Sequence, residues 1–349
     1  MIARDEAAGI ARCLASAAPH VEAMLVLDTG SSDSTVALAE AAGAEVHHFR
    51  WCDDFAAARN AALDLSRADW NLILDADEWI AGGTGHLAEH TLGGERFVGC
   101  VPVTSEFDLQ GGVQTATSWM PRILPAGVRY TGRIHEQPQS DLKRVRVPLA
   151  VTHAGYRQAE LTRKKGRNRD LLQRALAEMP ADAYLLYQLG KDHEIYQEYP
   201  QAARCYARAL EQARPADSFR HDLVLRTLYS LKQSRRFEEA FQFAETEMPN
   251  WQQSPDFYFA LGDLLLDWAM ENPEQAVQQF LPMAESCWMR SIEIGERPDL
   301  EGSVHGRGSH LAAHNLAVLH DGLGNREEAE HYRDLAVQLR ARAGSTTPA

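Results

Sequence analysis

The sequence lacks any run of about eighteen apolar residues, so no membrane span is expected. A basic amino-terminal stretch followed by an apolar one is also missing, so no secretory signal is evident. The five cysteines, at 13, 52, 100, 205 and 287, form no CxxC pair and are odd in number. That argues against a disulfide framework and for a reducing compartment, with the cytoplasm as the expectation. Basic excess is absent as well. The chain has 35 Lys and Arg against 49 Asp and Glu, a formal net charge of −14. Broad phosphate binding along nucleic acid is therefore not expected, although one local cationic pocket is compatible with it.

What is present suits two domains. The chain has 349 residues, 45% of them hydrophobic and 24% charged, enough to bury a sizeable core. In the first 80 residues, helix-like and strand-like segments alternate. Asp5 to Ser16 reads as a helix with Ile10, Cys13 and Leu14 on one face. Met24 to Leu27 reads as a buried strand ending in Asp28. Gly30 to Ser34 reads as a turn whose Ser32, Asp33 and Ser34 supply helix caps. Thr35 to Ala42 then reads as a helix stopped at Gly43, Glu45 to Phe49 as a strand and Asp54 to Ser66 as an alanine-rich helix. Trp70 to Leu74 reads as a third apolar strand ending in Asp75-Ala76-Asp77. This alternation predicts βαβ units and a mainly parallel sheet, a Rossmann-like α/β domain with ligands beyond the carboxyl ends of its strands. Arg4-Asp5-Glu6, Asp28-Thr29-Gly30 and Asp75-Ala76-Asp77 all fall there.

Between about 95 and 153 the pattern becomes that of a mixed sheet. Phe97 to Val103, Ser118 to Leu124 and Val145 to Val151 read as strands, with a hairpin turn at Gly111-Gly112. After Tyr156 the chain reads as helical and repetitive. Leu189-Gly190 with Ala202, Tyr206 and Ala209 fits tetratricopeptide spacing, as does Leu316-Ala317 with Gly324, Ala329 and Ala336. Leu261-Gly262 begins a copy that is interrupted before Ala284 and Trp288. Phe237, Ala240 and Phe243 suggest a degenerate copy between. The expected division is an α/β domain over 1–157, an all-α repeat domain over 158–343 and a disordered tail over 344–349.

Asp75-Ala76-Asp77 is the sharpest chemical feature. Two carboxylates two apart, just past a buried strand, can hold a hard divalent cation, and magnesium and manganese favour carboxylate and phosphate oxygens. The competing account is a solvated loop with two acids. At Asp28, a strand-end carboxylate can accept from a base N–H, and the small residues after it let a ligand approach the backbone; the competing account is a capped turn. His47 and His48 occupy adjacent strand positions, point to opposite faces and read as structural. Cys13 and Cys52 lack an evident base partner, which disfavours nucleophilic catalysis. Lys164 to Arg169 is a basic run whose plain account is a solvated helix face.

Several segments together carry a resemblance. They are Met1 to Glu6, Val26 to Thr35, Trp51 to Phe55 with Ala58-Arg59-Asn60, and Leu74-Asp75-Ala76-Asp77-Glu78. In order and spacing they are similar to the family 2 glycosyltransferases, whose fold is GT-A. Gly132-Arg133-Ile134-His135-Glu136-Gln137 and His153-Ala154-Gly155-Tyr156 further resemble the branch with carboxy-terminal tetratricopeptide repeats, which includes enzymes that glycosylate bacteriocin peptides on cysteine. The resemblance implies a GT-A domain followed by repeats, and a UDP-sugar donor with manganese or magnesium as the cofactor. It implies that Asp28 binds the base, that Arg4 and Glu6 line the nucleoside and that Arg59 lies near the nucleotide. Asp75 would face the ribose or sugar and Asp77 would hold the metal. Members of that family have more apolar residues ahead of Met1-Ile2, so the first strand is expected to be short and the start truncated.

Within that frame, inverting transfer needs a base for the acceptor proton. Glu136 is the first choice and His135 the second; the plain alternative is loop packing. His153 is a candidate to complete the metal's ligands, since imidazole also binds manganese. The repeats would offer a concave surface to a peptide, protein or glycan acceptor, or to another copy of the chain. Two rival readings stand beside this one. One is an interaction protein whose first domain has lost catalysis, against which Asp75 and Asp77 stand intact. The other is a sugar-nucleotide pyrophosphorylase, which would need a glycine-rich loop that Met1 to Glu6 does not supply.

Overall fold

The structure, a computed structural model, describes residues 1–85, 87, 94–109, 112–153 and 166–344. The hairpin tip at 110–111, Ala154 to Tyr156, Lys164-Lys165 and the tail beyond 344 lie outside the described residues. The chain divides into two compact units, Met1–Pro180 and Ala181–Ala349. The break falls at Pro180, later than the composition shift near 157 suggests. The reason is visible in helix α4, Arg167–Glu178, which buries Leu171, Leu172 and Ala175 and pairs with the first unit. Its Arg174 meets Asp53 at 3.1 Å and its Glu178 meets Arg133 at 3.2 Å.

The first unit begins with three parallel strands, β1 (Ile2–Ala3), β2 (Leu25–Asp28) and β3 (Glu45–His48), side by side in chain order. β1 is two residues long, as a short first strand was expected to be. The linking helices are α1 (Ile10–Ala17) and α2 (Thr35–Ala41), and α3 (Phe55–Leu65) follows β3. α1 buries Ile10, Cys13, Leu14 and Ala17, the spacing of one helical face. Ile10 and Leu14 meet Val26 and Ala39, while Cys13 and Ala17 pack with Val101, Val103 and Leu149 of the second sheet. One helix thus ties both layers together.

α1 starts five residues later than its periodicity suggests. The N–H groups of Asp5, Glu6 and Ala7 are taken by Ser31 Oγ at 2.9 Å, Thr35 Oγ1 at 2.7 Å and Asp33 Oδ2 at 3.1 Å. Asp5 itself sits at φ 54°, in the left-handed region that ends regular helix. The caps read into Ser32 and Ser34 also differ: Ser34 makes no side-chain cap, and Asp33 Oδ1 accepts from Thr35 N–H at 2.9 Å. Asp54 does cap α3, accepting from Ala57 N–H at 2.9 Å.

The second sheet is mixed. β4 (Trp70–Leu72) pairs antiparallel with β7 (Gly112–Pro125), which pairs antiparallel with β6 (Val98–Leu109). β5 (Glu78–Gly82) is joined to β6 through β11 (Ala150–His153), antiparallel to β5 and parallel to β6. The segment read as the third strand of the parallel set therefore serves the mixed sheet. The stretch read as one strand over 145–151 is two, β10 (Arg144–Arg146) and β11. They are separated around Pro148, which has no N–H for a ladder. A small hairpin, β8 (Arg129–Thr131) and β9 (Gln137–Gln139), encloses residues 132–136.

The second unit is built of helix pairs. α5 (Ala183–Ile195) packs on α6 (Tyr199–Gln212) and α7 (Arg220–Gln233) on α8 (Phe237–Glu247). α9 (Pro255–Glu271) packs on α10 (Leu281–Ile294) and α11 (His310–Gly322) on α12 (Arg326–Gly344). The recurring Gly has a steric reason. A Cβ at Gly190 would lie 2.2 Å from the Tyr206 ring, and one at Gly262 would lie 2.5 Å from Trp288. In these two pairs a large aromatic of one helix lies against bare backbone of its partner. In the degenerate copy Ala244 is buried, whereas Phe243 is only partly so. The interruption before Ala284 is the segment Pro273–Phe280, which leaves α-helical geometry at Ala276. Among the described residues, no helix is long and apolar enough to cross a membrane.

Candidate functional site

Two polar clusters lie past strand ends, one after β2 of the parallel sheet and one after β4 of the mixed sheet. The first lies at the end of β2. Asp28, buried, accepts from Gly30 N–H at 3.1 Å and from Ser31 N–H at 3.1 Å, so it shapes the turn that follows it. This is the capped-turn account of Asp28. His48 Nδ1 is 3.4 Å from Asp28 Oδ2. The segment carrying Arg4 and Glu6 lies against the same turn, tied by the three bonds that delay α1. Arg4 is half-exposed, with its Nε 4.0 Å from Asp5.

The second cluster surrounds Asp75 at the end of β4. Asp75 Oδ1 accepts from Arg59 Nη2 at 2.7 Å and Oδ2 from Arg122 Nη2 at 2.8 Å. Arg59 Nε also donates to Glu136, and Arg122 Nη2 to Glu78. The result is a chain of alternating charge, Glu136, Arg59, Asp75, Arg122, Glu78. Burial alone would push the Asp75 carboxyl up, but Arg122 and Arg59 reverse this and hold it well below the usual carboxylate range. Burial dominates at Glu78 and raises its carboxyl. Arg122 and Glu78 were not singled out from the sequence. The available signal was an arginine inside a strand otherwise facing the core, a position arginine occupies only when paired.

Backbone ties hold these groups in place. Asn60 donates to Tyr130 O at 2.9 Å and accepts from Tyr130 N–H at 2.8 Å, fastening α3, and with it Arg59, to β8. Phe55 N–H donates to Arg133 O at 2.8 Å. A Cβ at Gly9 would fall 2.7 Å from Ala76 O, so glycine there lets α1 approach the Asp75–Asp77 turn. Cys13 Sγ donates to Asp75 O at 3.3 Å, and burial pushes its thiol up to about 12. That agrees with reading it as no nucleophile.

Asp77 and His153 form a third contact, His153 Nε2 to Asp77 Oδ2 at 3.1 Å, with Ser105 Oγ 3.3 Å from His153 Nδ1. Burial lowers the His153 imidazole, but its hydrogen bond to Asp77 and the nearby acids outweigh this and raise it. Among the described residues, no group of three or more His, Cys, Asp and Glu is placed to hold a metal ion. Asp77 and His153 offer one oxygen and one nitrogen that meet at one point. His135 and Glu136 lie in the β8–β9 turn, with His135 at φ 52°, a left-handed conformation uncommon for histidine. Glu136 Oε1 is engaged by Arg59 rather than standing apart as a lone base.

Comparison with known proteins follows this geometry. Residues 1–116 match the model of the glycosyl transferase family 2. A TPR repeat-containing protein of Synechococcus elongatus is 33% identical over 237 residues, 64% of this chain and 59% of that protein. The chain thus spans less than two thirds of that relative. The SPbeta prophage-derived glycosyltransferase SunS of Bacillus subtilis is 25% identical over 287 residues, 78% of this chain and 67% of SunS. Among solved structures, MamA aligns with a TM-score of 0.40 at 14% identity, over 55% of this chain and 99% of MamA. Residues 1–116 are thus similar to a family 2 glycosyltransferase domain, and a unit of helix pairs follows in the chain.

Proposed function

We propose that this protein transfers a sugar from a nucleoside diphosphate sugar, a UDP-sugar, to a peptide, protein or glycan acceptor, with inversion. The observation that carries the reading is the paired arrangement at two strand ends: a buried carboxylate at Asp28 and the Asp75–Asp77 turn backed by two buried arginines. Asp75, with a guanidinium on each oxygen, is better suited to accept a ribose or sugar hydroxyl than to bind a cation. Asp77 and His153, a hard carboxylate beside an imidazole, are the residues that would hold a divalent ion such as manganese or magnesium. When bound, such an ion supplies Lewis-acid stabilisation of the departing diphosphate. Arg4 and Glu6 line the nucleoside, and Arg59 holds Asp75. Glu136 takes the acceptor proton on its second oxygen while Arg59 fixes the first, with His135 beside it as the alternative. The repeats engage the acceptor, and self-association through them is a further expectation.

The reading is tested by incubating the full chain with UDP-, GDP- and dTDP-sugars and manganese, and measuring released nucleoside diphosphate. Release from a UDP-sugar supports it; no release from any donor, with the protein folded, overturns it. A repeat-containing name among the relatives favours a second reading, an interaction protein with an inactive first domain, and that same null result would support it.

A further inference from the structure

We propose that Arg122 and Glu78 are a positioning pair that fixes the Asp75 carboxylate in one orientation toward the donor, without touching the donor themselves. The inference rests on the glycosyltransferase reading above and adds to it a dependence on two buried residues.

The observations are these. The Asp75 side chain is 36% exposed, whereas those of Arg122 and Glu78 are 6% and 3% exposed. The carboxylate is therefore the only open part of the trio. Its two oxygens are held from different residues, Arg59 at 2.7 Å and Arg122 at 2.8 Å, which leaves one rotational setting. Glu78 closes the turn from behind: it accepts from Asp75 N–H at 3.0 Å and gives its own N–H to Asp75 O at 3.0 Å. Arg122 is anchored too. It lies on β7 beside β4, and its carbonyl accepts from Ile73 N–H at 2.7 Å.

The cost of this arrangement argues for orientation rather than stability. Buried ion pairs contribute little net stability, and apolar side chains of like volume often do as well. Here two buried arginines each keep a side-chain N–H without a partner, Arg59 Nη1 and Arg122 Nε. Unpaired buried donors are costly, so a cluster selected for stability alone would not carry two. What the cluster provides is a carboxylate that cannot turn. Catalysis is sensitive to such placement, because a shift of about 1 Å can cost on the order of 100-fold in rate.

The test compares donor hydrolysis, UDP affinity and melting for the full chain, Arg122→Lys, Glu78→Gln and the double variant. Lysine keeps the charge but is shorter, and its ammonium does not reach the place of Nη2, the one guanidinium nitrogen that serves both acids. Arg122→Lys is expected to lower kcat by roughly 30- to 100-fold with little change in UDP affinity. Glu78→Gln should lower kcat in the same direction and less. The double variant should lose no more than Arg122→Lys alone, because both residues act through Asp75. A merely structural role would lower the melting temperature and leave kcat per folded molecule unchanged, and that result overturns the proposal. Additive losses in the double variant also overturn it. If Arg122→Lys does not fold, Glu78→Gln decides alone, and wild-type kcat there is the refuting result. An inactive wild-type protein would instead refute the glycosyltransferase reading, which keeps the two failures apart.

Discussion

Arg59→Met isolates the electrostatic core of the site. Methionine and arginine have similar helix propensity, so α3 is not weakened by the exchange. The side chain is 10% exposed and serves two acids, Asp75 and Glu136. Asp75 retains Arg122, but Glu136, itself 10% exposed, loses the ion pair that compensates it. Removing one partner of a buried pair costs about 3–5 kcal/mol. Against this, the unpartnered Arg59 Nη1 disappears, which returns about 1–3 kcal/mol. The net loss is about 2 kcal/mol. With a urea slope of about 2 kcal/mol/M, the first unit's midpoint should fall by about 1 M and the second unit's should not move. The pH dependence has a definite sign. Asp75 titrates well below its unfolded value, so its contribution is fully present above about pH 4 and is lost as pH falls below that. In the variant only Arg122 holds the Asp75 carboxyl down, so the gap between wild type and variant should persist from neutral pH down to about pH 4 and narrow below it. Equal midpoints at neutral pH, or a gap unchanged at about pH 2.5, would refute the reasoning.

Three further outcomes follow from other parts of the molecule. Asp28→Asn should weaken UDP binding by about 1–3 kcal/mol, the usual cost of a lost charged hydrogen bond; calorimetry giving equal affinities would contradict the base-binding role. Gly262→Ala places a Cβ 2.5 Å from Trp288 Nε1, and overpacking of this kind costs about 1–3 kcal/mol. It should lower the melting temperature of the repeat unit and leave UDP affinity alone; an unchanged melting curve would contradict the packing argument. For the metal, His153 must lose a proton that Asp77 helps it keep. The His153–Asp77 bond thus contributes fully below about pH 6.5 and is lost as pH rises past the raised imidazole value, so manganese affinity should climb there. His153→Ala should flatten that climb, and an identical pH profile by calorimetry would remove His153 from the ligand set.

Much of the first unit was legible because its signals are local. A short apolar run ending in Asp28, a small-residue turn and a glycine stop at Gly43 together specify β2 and α2, with Gly43 at φ 86° as its role requires. Errors arose where distant groups compete for the backbone. The first turn of α1 is lost to side chains some 26 to 29 positions away. β10 and β11 separate at a proline that reads as apolar in the pattern. The positions of Asp28, Asp75 and Asp77 past strand ends were legible in the sequence, since each follows a short apolar run. The roles of Arg122, Glu78 and Asn60 were not, because they depend on partners 44 to 70 residues away or on a turn closed by its own N–H groups. The repeat unit was legible at Gly190 and Gly262, where one small residue and one aromatic recur at fixed spacing, and less so at Phe243, where the degenerate copy drifts by one position.

The account stands most directly on the role of Asp77. Manganese-dependent hydrolysis of a UDP-sugar should be measured for the wild-type chain and for Asp77→Asn, which keeps the side chain's shape and removes one charge. Turnover by the wild type and a loss on the order of 100-fold in the variant are predicted, because several kcal/mol of charge stabilisation is at stake. Turnover that is the same in a folded Asp77→Asn protein, or equal with and without manganese, would contradict it.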